Sequence, residues 1–192
     1  MPEDGTPDGG LGPEERLRAL YTAHHGRVLG FARRRAADAE SAQDAVAETF
    51  LVAWRRIDKV PREPEEALPW LYAVARNILA NQSRGERRGG RLAARLGRTA
   101  PVTAAVPDHA GGVVEALHVR EALAALSERD QETLRLIGWD GLDTAAAARV
   151  VGCSARAFAV RLHRARRRLE RELTRREAPA ERPLAATKGE RA

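Results

Sequence analysis

Eight arginines and only two glutamates lie within residues 160–176, and leucines at 162, 169 and 173 give this segment a helical period. A guanidinium group stays charged and can bind two oxygens of a phosphate at once. Like charges three or four residues apart cost an isolated helix about 0.2–0.5 kcal/mol per pair. Stability alone would therefore not favour this density of arginine. The segment predicts a helix that binds a polyanion.

The arginine-rich segment ends a pattern of two short helices joined by a glycine-containing turn. Ser127 is a candidate N-cap for "ERDQETLRLIGWD", and Gly141 follows as a helix stop. A short helix then begins at Asp143 or Thr144 and ends at Gly152. Ser154 is placed to cap the next helix. This order predicts a helix-turn-helix, whose second helix enters the major groove of DNA.

The second of these helices has two distinct faces. An inward stripe is expected from Phe158, Leu162, Ala165 and Leu169, and the outward face carries Arg156, Val160, His163, Arg164, Arg167 and Arg171. Residues near the start of the helix would meet base edges, and the later arginines would meet the phosphate backbone. The alternative is a solvated, ion-paired helix, for which Glu170 and Glu172 are the local partners.

A different surface is predicted on a helix over residues 40–57. At 100° per residue, Val46, Phe50, Ala53, Trp54 and Ile57 share one face, which is the expected core stripe. On the opposite side, a narrow arc contains Asp44, Glu48, Leu51 and Arg55. Two carboxylates beside an exposed leucine favour a docking surface for a partner, and a solvated face with one stray apolar residue is the alternative.

The helix predicted over residues 66–86 has a basic face. Arg76, Asn77, Arg84, Arg87 and Arg88 lie largely opposite its apolar residues and could follow a phosphate backbone. Trp70 would either stack on an unpaired base or pack in the core at the start of the helix, and the core position is the more common one for such a residue.

These elements imply an all-α chain of two small helical domains joined by a flexible linker. We expect a disordered arm (1–13), a first domain (14–88) with helices at 14–36, 40–57 and 66–86, and a glycine- and proline-bounded linker (89–112) with a short helical piece at 91–96. A second domain (113–176) contains the helix-turn-helix. A disordered tail (177–192) completes the chain.

Composition restricts the classes of function. The formal charge is +6 and the pI is near 10.5, with Lys59 and Lys188 as the only lysines. Positive charge concentrated in two segments favours a nucleic acid or an anionic surface as partner. Cys153 is the only cysteine, so no internal disulfide can form, and the five histidines lack metal-ligand spacing. We therefore expect a cytoplasmic, non-enzymatic protein without metal, cofactor or membrane insertion.

With these motifs in hand, the chain resembles the extracytoplasmic-function (ECF) sigma factors of the bacterial primary-sigma superfamily. "DAVAETFLVAWRRID" and "PWLYAVARNILANQSRGERR" resemble region 2 of that family. "LSERDQETLRL", "GLDTAAAARVVGCS" and "VRLHRARRRL" resemble region 4 in order and spacing. The resemblance covers roughly residues 17–176.

The resemblance implies three interfaces. The clamp of core RNA polymerase would bind the face of this chain that carries Asp44, Glu48, Leu51 and Arg55. Segment 58–88 would engage the melted minus-ten element, with Lys59, Arg62, Trp70, Arg76, Asn77, Arg84, Arg87 and Arg88 as contacts. The helix at 154–168 would recognise the minus-thirty-five duplex through Ser154, Arg156, Ala157, Val160, Arg161, His163, Arg164 and Arg167. An anti-sigma factor is a further implied partner.

Two segments depart from the family pattern. "DTAAAA" replaces polar and aromatic residues in the supporting helix, and "ARAFAV" replaces a more polar start of the recognition helix. Base readout would then depend on Arg156, Arg161 and apolar contacts with thymine methyl groups. Two alternatives stay open: a helix-turn-helix regulator that acts without polymerase, and a sigma-like adaptor that does not initiate transcription.

Overall fold

The computed structural model describes residues 12–95 and 113–177, with side chains described for 12–85 and 118–176. Within these ranges the secondary structure is helical, and no strand is present. The first unit contains α1 (Pro13–Arg33), α2 (Ala39–Arg55), a 3₁₀ turn (Ile57–Lys59) and α3 (Pro64–Arg95). The second unit contains α4 (Val113–Ala124), α5 (Glu128–Gly138), α6 (Thr144–Val151) and α7 (Ala155–Glu177). The expectation of an all-α fold in two helical units is confirmed.

The first unit is a three-helix core built on aromatic packing. Phe31 of α1 stacks on Tyr72 of α3 with ring centroids 4.4 Å apart, and both side chains are fully buried. Asp38 caps α2 by accepting a hydrogen bond from the Ser41 amide at 2.7 Å. Arg16 of α1 donates to the carbonyl oxygens of Ile57, at 2.8 Å, and of Val60. This arginine fixes the turn between α2 and α3 against the first helix.

Helix α3 is longer than its sequence predicts at both ends. It begins at Pro64, because a proline is favoured in the first turn, where its missing N–H has no helical partner. Pro69 lies inside the helix, one turn further on. At the other end α3 continues to Arg95. Residues 91–95 are helical as predicted for the short piece at 91–96, but they continue α3 without a break, and residues 89 and 90 are helical although the sequence predicts a linker there. The rest of the predicted linker, the predicted arm up to residue 11 and the predicted tail from residue 178 lie outside the described residues.

The caps predicted for the second unit are confirmed. The Ser127 side chain accepts from the Asp130 amide at 3.2 Å, the Asp143 side chain from the Ala146 amide at 2.7 Å, and the Ser154 hydroxyl from the Ala157 amide at 3.2 Å. Each bond satisfies one of the free amides at a helix start. Asp143, and not Thr144, is therefore the cap of α6. These three caps set where α5, α6 and α7 begin.

Gly152 ends α6 in the left-handed conformation, with φ of 71°. An added Cβ would meet no atom within 4 Å, so the strain of a substitution comes from the backbone torsion alone. We expect Gly152→Ala to lower the free energy of unfolding by about 1–2 kcal/mol, measured by urea denaturation. Gly138→Ala is the matched control, because Gly138 lies within α5 and also has open space around its Cα. It should leave stability unchanged or raise it by up to about 1 kcal/mol, and equal losses in both variants would contradict the prediction.

The helix-turn-helix packs around the inward face of α7. Phe158 and Ala165 are fully buried, Leu162 is nearly so, and Leu169 is half-buried, as the sequence predicts. Arg168 adds an ion pair to the buried Asp130 of α5, with Arg168 Nη1 2.7 Å from Asp130 Oδ2. The buried apolar face of α7 and the ion pair of Arg168 with Asp130 thus hold this helix against the rest of the unit.

The two units share one continuous hydrophobic core. Helix α6 packs against α3 of the first unit as well as against α5 and α7. Ala146, Ala147 and Ala148 are consecutive and all buried, so α6 is covered on more than one side. Small side chains allow helices to approach closely from both directions. The alanine run that departs from the family pattern therefore lies where α6 is packed between neighbours.

Candidate nucleic-acid interface and docking face

The outward face of α7 is exposed as predicted. Arg156, Ala157, Val160, His163, Arg164 and Arg167 are exposed, and Arg161 is half-buried. Ser154 is also exposed, but its oxygen already accepts the capping hydrogen bond. The face therefore combines arginines with small apolar side chains near the start of a helix. This arrangement suits phosphate binding together with van der Waals contact to base edges.

Only some of the α7 arginines are available to an external anion. Arg168 pairs with Asp130, Arg175 with Glu172, and Arg176 with Glu121 of α4, at 2.6 Å. Arg164 and Arg167 make no ion pair with any residue that the structure describes. The unpaired arginines lie on the predicted DNA face, and the paired ones lie toward the end of the helix or against α5 and α4. The ion-paired alternative thus applies to Arg168, Arg175 and Arg176.

The predicted docking face on α2 is also exposed. Asp44, Glu48, Leu51 and Arg55 are all accessible to solvent, and Leu51 keeps 45% of its surface. None of these four side chains is needed for the core. Carboxylates flanking an open leucine can bind a basic partner surface that contains an apolar pocket.

Two further aromatic residues, one on α2 and one packed beside it, are exposed, and the sequence assigned neither to this face. Trp54, expected in the core stripe of α2, is 40% exposed, and Tyr21 of α1 is 48% exposed. The Tyr21 ring lies 4.9 Å from that of Phe50 and 4.6 Å from that of His25. Trp54 is one turn from Leu51, so the apolar surface continues past the leucine. The helical period places Trp54 on the same side of α2 as the core residues. The period could not show that the buried surface does not reach as far around the helix as Trp54.

The candidate minus-ten residues differ from one another in their exposure to solvent. Lys59, Arg62, Asn77 and Arg84 are exposed, and Arg84 donates to the side chain of Asn81. Trp70 is half-buried against the core, which agrees with the more common position for that residue. Arg87 and Arg88 lie in α3, but their side chains are outside the described residues.

Arg76 is half-buried and faces a carboxylate of the other unit. Its Nε lies 3.7 Å from Glu132 Oε1 on α5. Glu132 also accepts a hydrogen bond from Arg35 Nε of the first unit, at 2.8 Å. The basic face of α3 is therefore partly neutralised by the second unit, which the sequence did not predict.

Four residues form an ion cluster between the two units: Arg34 and Arg35, which follow α1, and Glu132 and Asp140, which belong to the second unit. The Asp140 side chain is fully buried and accepts hydrogen bonds from Arg34 and from Arg35, the latter at 2.6 Å. The Arg35 guanidinium also stacks 3.6 Å above the Phe31 ring. We call this group the inter-unit ion cluster. No local sequence signal marks it, because its members are about a hundred residues apart.

The described residues show no group of His, Cys, Asp and Glu side chains that could hold a metal ion. Among the helices that the structure describes, none is both long and apolar enough to span a membrane. Cys153 is half-buried beside the core and is not in a disulfide.

Two family models match the two units. Sigma-70 region 2 matches residues 20–89, and Sigma-70 region 4 matches residues 117–169. These matches place the first unit and the helix-turn-helix in the class of sigma factors, the promoter-recognising subunits of RNA polymerase. The α2 and α7 surfaces described above are exposed on these two matched units.

Similar proteins of known family show to which group of sigma factors the chain belongs. The chain is 31% identical over 156 residues to the ECF RNA polymerase sigma factor SigL of Mycobacterium tuberculosis H37Rv, covering 80% of this chain and 86% of the relative. It is 28% identical over 165 residues to the ECF RNA polymerase sigma factor BldN of Streptomyces coelicolor, covering 84% and 62% respectively. The chain belongs to the ECF family of RNA polymerase sigma factors.

Solved structures agree with this family. The sigma factor RpoE of Bartonella quintana, solved in complex with the anti-sigma factor NepR, has a TM-score of 0.64 at 25% identity, covering 84% of this chain and 96% of that one. CnrH, solved in complex with the cytosolic domain of CnrY, has a TM-score of 0.58 at 22% identity, covering 84% and 90%. The second comparison supports the fold alone.

Proposed function

We propose that this sigma factor binds core RNA polymerase through the α2 face and promoter DNA through α3 and α7. The polymerase contacts would be Asp44, Glu48, Leu51 and Arg55, with Tyr21 and Trp54 extending the apolar surface. The minus-thirty-five duplex would meet the exposed face of α7. The minus-ten strand would meet the basic face of α3 and the loop that carries Lys59 and Arg62. The chain itself would make or break no covalent bond and would act in the cytoplasm.

One observation carries this proposal: two exposed surfaces of opposite charge lie on separate helical units. The α2 face presents carboxylates around Leu51, and the α7 face presents Arg164 and Arg167, which make no ion pair with any residue that the structure describes. A regulator that binds an operator alone would need only the second surface. A subunit that joins a polymerase to DNA needs both.

Run-off transcription from a promoter library tests the proposal. Purified chain would be mixed with core polymerase that lacks any other specificity subunit, and the transcribed templates would be sequenced. We expect enriched templates to share two elements at a fixed spacing. Transcripts from no template would favour the sigma-like adaptor. Duplex binding without polymerase association would favour the helix-turn-helix regulator.

If the α7 face binds phosphates, the affinity for duplex DNA should depend on salt concentration. Arg167→Ala should weaken duplex binding about tenfold at low salt and reduce the slope of log affinity against log salt by about 1, because one phosphate contact and its counterion release are lost. The measurement is fluorescence anisotropy at several salt concentrations.

Arg175→Ala is the matched control for this measurement, since Arg175 is already paired with Glu172 on the same helix. It should leave the salt slope nearly unchanged. Equal slopes for the Arg167 variant and the wild type would contradict the assignment of this face.

An anti-sigma protein is a further proposed partner. The similar sigma factor RpoE of Bartonella quintana has been solved in complex with the anti-sigma factor NepR. An inhibitor that covers the α2 face would block polymerase binding, and in competition experiments it should be displaced by excess core polymerase.

A further inference from the structure

One apolar side chain lies at the centre of the cationic face of α7. Val160 is 47% exposed, and the helical period places it almost directly opposite the buried inward face of this helix. Of the large apolar side chains described in α7, it is the one that is exposed. Single exposed apolar residues are common on protein surfaces, so the position of Val160 is more informative than its exposure.

Charged side chains flank Val160 on both sides. Arg156 and Arg164, one turn before and one turn after it, are exposed and lie on opposite flanks of the outward face. An α-helix fits into the major groove of DNA, which is about 12 Å wide. The centre of the outward face of such a helix meets the base edges, and its flanks meet the walls of the groove. Val160 would therefore face the bases, between two guanidinium groups that reach the walls.

A small neighbour allows Val160 to come close to a base. A valine side chain extends only a short way from its helix, so it can touch a base only if the side chain beside it on the same face is also short. Ala157, one turn before Val160, is exposed and satisfies this requirement. The β-branched side chain of valine has one strongly preferred rotamer in a helix. Little side-chain entropy is therefore lost when Val160 makes a contact.

The base edges in the major groove limit what Val160 can recognise. Thymine presents a methyl group at C5, whereas a purine presents an N7 acceptor. Valine can neither donate nor accept a hydrogen bond, so N7 placed against it would lose water without gaining a partner. We propose that Val160 is a specificity-determining residue of this sigma factor and contacts the C5 methyl group of a thymine in the minus-thirty-five element. This role rests on the proposed function, which places α7 in the major groove.

Replacement of thymine by uracil tests this contact, because uracil keeps every hydrogen-bonding group of thymine and lacks only the C5 methyl group. Random-sequence duplexes would be selected on the full-length chain, both alone and with core polymerase. Each thymine of the enriched sequence would then be replaced singly by uracil, and binding would be measured by fluorescence anisotropy. We expect a position at which uracil weakens binding about fourfold, which corresponds to one buried methyl group.

Val160→Ala should remove the sensitivity to uracil. At the sensitive position this variant should bind the thymine duplex and the uracil duplex with nearly equal affinity. Arg167→Ala is the matched control, because loss of a phosphate contact should weaken binding to both duplexes by the same factor and keep the fourfold ratio. Undiminished sensitivity in the Val160 variant would overturn the proposal, and so would a wild-type chain that tolerates uracil at every position.

The selection without polymerase separates this role of Val160 from the proposed function. A chain that enriches a duplex alone but does not associate with core polymerase would count against the proposed function. The uracil test would still apply to the duplex that the chain selects alone. If neither selection enriches any sequence, Val160 does not determine specificity and the proposal is overturned.

Discussion

The double variant D44K/L51A is expected to lose measurable association with core RNA polymerase. A lysine at position 44 places a positive charge against a surface that the proposal requires to be basic, and like charges at an interface cost several kcal/mol. Truncation of Leu51 removes an apolar contact at the centre of the face. Together these changes should weaken binding at least 100-fold, which is about 2.7 kcal/mol. Native gel shift or size-exclusion co-migration with purified core would measure the loss.

Folding should not confound this result. Asp44 and Leu51 are both exposed, and surface substitutions usually change stability by less than about 0.5 kcal/mol. Glu65→Lys, a charge reversal at an exposed acid in the first turn of α3, is the control and should bind core normally. Retention of core binding by D44K/L51A would remove α2 from the proposed interface.

Phe158→Ala is expected to destabilise the second unit strongly. The side chain is completely buried on the inward face of α7, and truncating a buried phenylalanine costs about 3–5 kcal/mol. Small domains are stabilised by about 5–15 kcal/mol in total, so this one truncation would remove a large share of the stability that holds α7 in place. Urea denaturation followed by far-UV circular dichroism measures the loss, and duplex binding should fall with it.

Val160→Ala separates this effect from a general sensitivity of α7. Val160 is on the same helix but is 47% exposed, so its truncation should cost less than about 0.5 kcal/mol. It can still change base preference, because its methyl groups are available to thymine. Similar losses of stability in both variants would contradict the assigned inward and outward faces.

Local signals predicted the second unit well. Ser127, Asp143 and Ser154 are residues that favour the N-cap, and each accepts the expected amide hydrogen bond. Gly152 tolerates the left-handed conformation that ends α6. Phe158, Leu162 and Ala165 are buried at the period of an α-helix. These features depend on residues within a few positions of one another.

Predictions failed where the answer depended on distant neighbours. Trp54 satisfies the period of the core stripe but lies beyond the edge of the core, and Arg76 satisfies the period of a basic face but meets a carboxylate of α5. The sequence predicts that this helix begins at residue 66, whereas α3 begins at Pro64 and includes Pro69. A one-dimensional pattern gives the angle of a side chain around its helix, but not what the facing surface contains.

The sequence by itself determined the helices, their caps, the helix-turn-helix and the family, because each depends on short-range hydrogen bonding and hydrophobic period. Only the tertiary structure decided which charged side chains form ion pairs within the protein and which are exposed to solvent. Arg34 and Arg35 contact Asp140, from which they are separated by more than a hundred positions, while Arg164 and Arg167 meet no carboxylate among the described residues. Arginines of equal charge are distinguished by the neighbours that chain folding brings to them, and electrostatic interactions depend on distance in space.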